Sequence, residues 1–257
     1  MLLFFCKKFT KLKILSFVMW FNKNMKMKFK NGFTLADVLI TLIVVGIVAA
    51  LTIPVILPLI QKRDLESRFA KVNSVLKQTV ARAEATEGNF TNWEWISSDK
   101  IFFEYFTPYL SVVKICKPNE LGCGEDTEYK YLRGEVVQTK AFQPSVMRFI
   151  TSDGAKWLIG VNSGCVSKGE YCAMVRVDVN GDAPPNMYGR DLFTFFMLPY
   201  TNEVRPEGAY EFPLPYNEEK GWIAYEKQEI DDDCNVESGG GTLCGARIIA
   251  DGFKMKY

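Results

Sequence analysis

The chain has 257 residues, with 31 Lys and Arg against 30 Asp and Glu, and no histidine. A nearly balanced charge designates no polyelectrolyte partner, and the lack of histidine removes Ser-His-Asp triads and histidine-held metals from the candidate chemistries. Eight lysines and no acid fall in residues 1–32, so the remainder carries a net charge of about −7. That acidic balance argues against nucleic acid as a default partner, because phosphate binding needs a basic footprint.

Residues 1–32 form a basic leader. Its apolar stretch, 14–21, is short, and no Ala-x-Ala cleavage site follows, so it differs from an ordinary secretory signal. A start at Met25 or Met27 would leave a short basic leader and place residues 1–24 outside it. Lys23, Lys26, Lys28 and Lys30 stand just before Gly32. An apolar run then occupies residues 33–60, and Asp37 is its one charged residue.

A bilayer core about 30 Å thick needs roughly 20 helical residues, so the run is long enough to cross it. The lysines place the leader on the cytoplasmic side and everything after Ile60 outside. A carboxylate inside such a helix costs about 2.5–3.5 kcal/mol. Thr34 as N-cap with Asp37 at the third helical position would put the acid at the positive end of the helix dipole, where it is tolerated. Pro54 and Pro58 should interrupt the helix, since each lacks an N–H and crowds the carbonyl four residues back. Gly46 weakens the preceding turns.

The basic flank, Gly32, Phe33 and the acid at Asp37 together resemble the N-terminus of the type IV pilin and type II secretion pseudopilin superfamily. The resemblance covers residues 28–60 closely and implies cleavage between Gly32 and Phe33 by a prepilin peptidase, with N-methylation of Phe33. It further implies that Asp37 pairs with the new amino terminus of a neighbouring subunit and sets axial register. The family usually carries glutamate there, one methylene longer. Helicity between Gly46 and Pro54 can be lost when such subunits pack in a filament. The implied partners are the peptidase, other pilin-like subunits and an inner-membrane assembly platform. The implied location is the bacterial cytoplasmic membrane, single-pass with the head outside, and then a filament. A mature chain of 225 of the 257 residues is large for a main-shaft pilin and leans towards a minor subunit.

Residues 61–88 continue the helix. Leu65, Phe69, Val72, Leu76, Val80 and Ala83 recur at spacings of three and four, an amphipathic stripe that Gly88-Asn89 should end. Residues 89–257 then turn to short β-like runs. Stretches 146–151 and 156–161 flank Ser152-Asp153-Gly154-Ala155, a hairpin signal, and 171–179 and 191–198 also form strands. Pro184-Pro185, Pro206, Pro213 and Pro215 mark loops, Gly239-Gly240-Gly241 a flexible loop, and Asp231-Asp232-Asp233 a solvated one. The closing stretch 246–257 resembles the last segment of many pilin-like heads. The fold class is α+β, pilin-like, with one long helix laid on an antiparallel sheet.

Cys6 lies in the leader; Cys116, Cys123, Cys165, Cys172, Cys234 and Cys244 all follow the apolar run. Six cysteines allow 15 pairings, of which pairing by sequence neighbours is the simplest. Disulfides suit an exported head, while the absence of histidine and of Cys-x-x-Cys weighs against zinc.

Asp178, Asn180 and Asp182 alternate around Gly181, with Asp191 and Asp153 elsewhere. Oxygen-bearing residues at such spacing suit calcium, and some pseudopilin heads hold calcium in a comparable loop. The EF-hand pattern is incomplete, however, and an Asx-type turn explains the same residues. No Gly-x-Ser-x-Gly, phosphate loop or ligand cluster points to an enzyme. Trp93, Trp95, Phe102, Phe103 and Tyr105 belong either to the helix–sheet core or to an exposed partner surface. The expected function is a filament subunit. The alternative is a membrane-tethered binding module that forms no filament.

Overall fold

The computed structural model describes residues 35–199, 201–209 and 226–257. The leader, the Gly32–Phe33 junction, Thr34, Pro213 and Pro215 lie outside the described residues. The chain divides into two compact units, residues 1–56 and 57–257. In the first, the described residues are helical, and apolar side chains such as Leu39, Leu42, Val45 and Ile53 are exposed. This stretch belongs to a helix, α1 (Leu35–Glu87), that is long and apolar enough to cross a membrane.

Helix α1 is unbroken at Pro54 and at Pro58, contrary to the interruption expected from sequence. Each proline removes one backbone bond, and the turns on either side carry the ladder on.

The second unit begins on α1 and buries the expected stripe of Leu65, Phe69, Val72, Leu76, Val80 and Ala83. Gly88 ends the helix with φ +81° while its N–H reaches Glu84 O at 3.0 Å. Only glycine adopts that left-handed backbone cheaply. Helix α2 (Ser98–Ile101) runs on through a π-type turn, Phe102–Phe106. Trp93, Trp95, Phe102 and Tyr105 are buried here, and the Trp93 and Tyr105 rings stack at 4.0 Å. They are core, and Phe103 alone of the five is exposed.

Six strands follow: β1 (Val112–Cys116), β2 (Met147–Thr151), β3 (Lys156–Val161), β4 (Ala173–Asp178), β5 (Leu192–Leu198) and β6 (Glu203–Pro206). They form one antiparallel sheet in sequential order. The four central strands follow the alternation of the sequence. Neither edge strand is legible in the sequence, because β1 is mostly exposed and β6 is four residues ending in proline. Pro206 therefore ends a strand rather than marking a loop, which an edge strand permits.

The faces of the sheet separate by register. Phe149, Trp157, Val177 and Phe193 lie opposite one another on the face that packs against α1, where Phe69 meets Phe193 at 4.4 Å between ring centroids. The other face carries Arg148, Leu158, Arg176 and Thr194 in line. It is not left to water. Tyr129, Ala141, Phe142 and Tyr188 cover Leu158 and Leu192 in a second apolar cluster.

Short helices α3 (Cys165–Lys168), α4 (Lys227–Asp233) and α5 (Cys244–Ala250) complete the unit. Two sequence expectations change here. Asp231-Asp232-Asp233 is the last turn of α4, and the Asp233 carboxylate accepts from Gly240 N–H at 3.1 Å and Leu243 N–H at 2.7 Å. The triple glycine is tightly held: Gly240 O accepts from Leu132 N–H, and a Cβ at Gly241 would lie 2.9 Å from the Leu132 Cβ. Glycine serves close approach there, not mobility. After α5 the tail returns to α1, where buried Glu66 accepts from Met255 N–H at 2.9 Å and pairs with Lys254 at 3.0 Å.

Candidate functional site

The structure joins Cys116 to Cys123, Cys165 to Cys172 and Cys234 to Cys244, with Cα separations of 6.1, 4.9 and 5.3 Å. This is the neighbour pairing, and it leaves none of the six as a thiolate for zinc. Asp233, Cys234 and Cys244 come together in space, but both sulfurs are already bonded to each other.

The first disulfide loop is anchored by charge. Arg148, on the covered face of β2, donates to Glu125 Oε2 at 2.6 Å, and both side chains are almost wholly out of solvent. Glu125 also accepts the N–H groups of Gly122 and, at 3.0 Å, Cys123. Burial by itself would raise this carboxyl, but those N–H groups and the Arg148 charge outweigh it and hold it at about 2. One strand over, Lys156 is buried and reaches Asp182 and, at 3.0 Å, Thr127 Oγ1. Both cations therefore pin irregular chain onto the sheet.

The residues singled out for calcium sit as follows. Asp178 ends β4 and is buried; its Oδ1 accepts from Asn180 N–H at 3.1 Å and Gly181 N–H at 2.9 Å, and its Oδ2 from Tyr129 OH at 2.7 Å. Asp191 is equally buried and accepts from Asn186 N–H at 2.7 Å and Met187 N–H at 2.6 Å. Asp182 turns away to Lys156, and Asp153 pairs with Lys71 of α1 at 2.7 Å. Asn180 Nδ2 donates to Ala183 O, while Asn180 Oδ1 and Asn186 Oδ1 are buried with no donor.

The structure thus brings Asp178 and Asp191 together and sends Asp182 elsewhere. A calcium cage needs six to eight converging oxygens. Here the two inner carboxylates hold the turns that follow β4 and precede β5, and of the four residues expected as ligands Asp182 does not converge with them. Burial and the neighbouring Asp191 charge push Asp178 up to about 7, and burial pushes Asp191 up to about 6 against its N–H donors.

Of the residues expected to direct processing and assembly, Gly32 and Phe33 fall outside the described residues. Asp37 lies in the first turn of α1, at the positive end of the helix dipole. Pro54 lies within the same helix.

These features define a class: a disulfide-bonded α+β head, built as a six-stranded antiparallel meander, on a helix whose N-terminal part is apolar enough to cross a membrane. Residues 58–257 match the family of unknown function DUF6613, and the chain belongs to that family. Neither the curated proteins nor the solved structures contain a match.

Proposed function

We propose that the chain is a prepilin-like structural subunit. It is cut between Gly32 and Phe33 by a membrane prepilin peptidase, N-methylated on Phe33, and assembled as a minor subunit of a type IV pilus or type II secretion pseudopilus. In this reading the chain is the substrate of the peptidase and not itself an enzyme. The observation that carries it is Asp37, a carboxylate in the first turn of a helix with no other charge before Lys62. A carboxylate at that depth in lipid is costly, and a neighbour's new amino terminus would offset that cost when subunits stack.

Two further observations support the reading. Helix α1 is apolar at its start and amphipathic where it packs on an antiparallel sheet, the layout that the resemblance implies. Three disulfides suit a head outside the bacterial inner membrane, beyond the reducing cytoplasm. Other pilin-like subunits and an assembly platform would be the partners.

N-terminal mass spectrometry of the native protein tests the proposal. The expected mature terminus is N-methylated Phe33. A polypeptide intact through residues 31–34 would end it.

A further inference from the structure

Two cations in the second unit make no close ion pair, although the Glu66 carboxylate one helical turn on feels the Lys62 charge. Lys62 and Arg190 line a cleft of about 460 Å³ between the start of the amphipathic part of α1 and the 180–190 loop. Among the described residues, no carboxylate lies within ion-pair reach of either. Arg68 lines the same cleft and is engaged by Asp64 at 2.7 Å. The lining therefore carries three cations against one acid.

The loop side of the cleft is braced rather than loose. Asp191 fixes the N–H groups of Asn186 and Met187, Arg190 N–H reaches Met187 O at 3.1 Å, and the Arg190 guanidinium lies 5.3 Å over the Tyr257 ring. Asp191 thus braces the turn from which Arg190 reaches the cleft wall. Gln61 and Asn180 supply neutral polar groups, and Pro58, Leu65 and Pro184 an apolar floor.

Chain position selects the ligand. Pro58 belongs to the apolar run, and Gln61 and Lys62 follow its last residue, Ile60, directly. If residues 33–60 cross the bilayer, Lys62 falls at headgroup depth by chain continuity alone. We propose that this cleft binds the phosphodiester headgroup of an anionic membrane lipid, with Lys62 and Arg190 on the phosphate oxygens. Arginine grips phosphate with a planar fork and lysine as a compact point charge. The proposal rests on the membrane-spanning reading of α1 and not on filament assembly.

The test uses the full chain in neutral detergent, melted with short-chain phosphatidylglycerol, with phosphatidylcholine, or with inorganic phosphate. Phosphatidylglycerol should raise the melting temperature, and the other two should not. A cation near a charged membrane surface is worth about fivefold in affinity, so Lys62→Gln with Arg190→Gln should weaken phosphatidylglycerol binding about thirtyfold. Arg63→Gln, outside the lining, should leave it unchanged. Raising the salt should shrink the shift, since the site is open to water.

An equal response to both lipids, a full response to inorganic phosphate alone, or an undiminished shift in the double variant would overturn the proposal. Extraction of the chain from membranes by alkaline carbonate without detergent would instead refute the spanning reading, and so separates the two failures.

Discussion

Arg148 and Glu125 meet at 2.6 Å beneath the first disulfide loop, with essentially no solvent on either side chain. The pair joins the start of β2 to a segment that has no regular structure of its own. Removing one partner strands a buried charge, which costs far more than the pair is worth in total. Glu125→Ala should destabilise the head by about 3–5 kcal/mol, read as a fall in the denaturant midpoint of the full chain in detergent. Replacing both residues with apolar ones of similar size should cost much less. Equal losses in the single and double variants would show that the charge is not the issue.

Glu125 and Asp178 pull the pH dependence in opposite directions. The Glu125 carboxyl is held at about 2, below its unfolded value, so its contribution is present above about pH 4.5 and is lost as pH falls towards 2. Asp178 is pushed up to about 7, so the folded state binds its proton more tightly than the unfolded chain does. Stability from that group is therefore fully present below about pH 4 and declines as pH rises through 7. Asp178→Asn should flatten the upper part of this profile, since an amide oxygen still accepts from Asn180 and Gly181. Melting temperatures across pH 4–8 would check this, and an unchanged slope would refute it.

Each disulfide closes a short loop, with sequence separations of 7, 7 and 10. In the chain-entropy view such loops contribute about 2.5 kcal/mol each. Peptide mapping without reductant should recover three intrachain neighbour pairs. The double change Cys165→Ala with Cys172→Ala should lower stability by about that amount, measured by denaturant titration.

Asp37→Ala should leave cleavage before Phe33 intact while abolishing incorporation into filaments, scored by the mature band on a gel and by sheared surface fractions. Gly32→Ser should block cleavage itself, leaving the precursor. Normal filaments from the Asp37 variant would favour a tethered binding module.

The sequence by itself determined whatever repeats over short distances. Apolar residues at every third or fourth place from Leu65 to Ala83 can only be buried together on one side of a helix, and they are. Short β-like runs divided by turn residues between 146 and 198 likewise marked out four strands, while which of their side chains face α1 came from the sheet register. The apolar run and the nearness of paired cysteines are also local facts.

Only the tertiary structure decided the opposite face of the sheet. Alternation places Arg148, Lys156 and Arg176 outward, where charged side chains ordinarily meet water. Instead, a segment more than twenty residues away along the chain closes over Arg148, and its cover has no periodicity to announce it. For the same reason Asp178 and Asp182, four residues apart, have different fates: one is buried on backbone N–H groups, the other drawn off to Lys156. The cleft holding Lys62 and Arg190 was equally invisible, because its two walls are over a hundred residues apart in sequence and only folding brings them together.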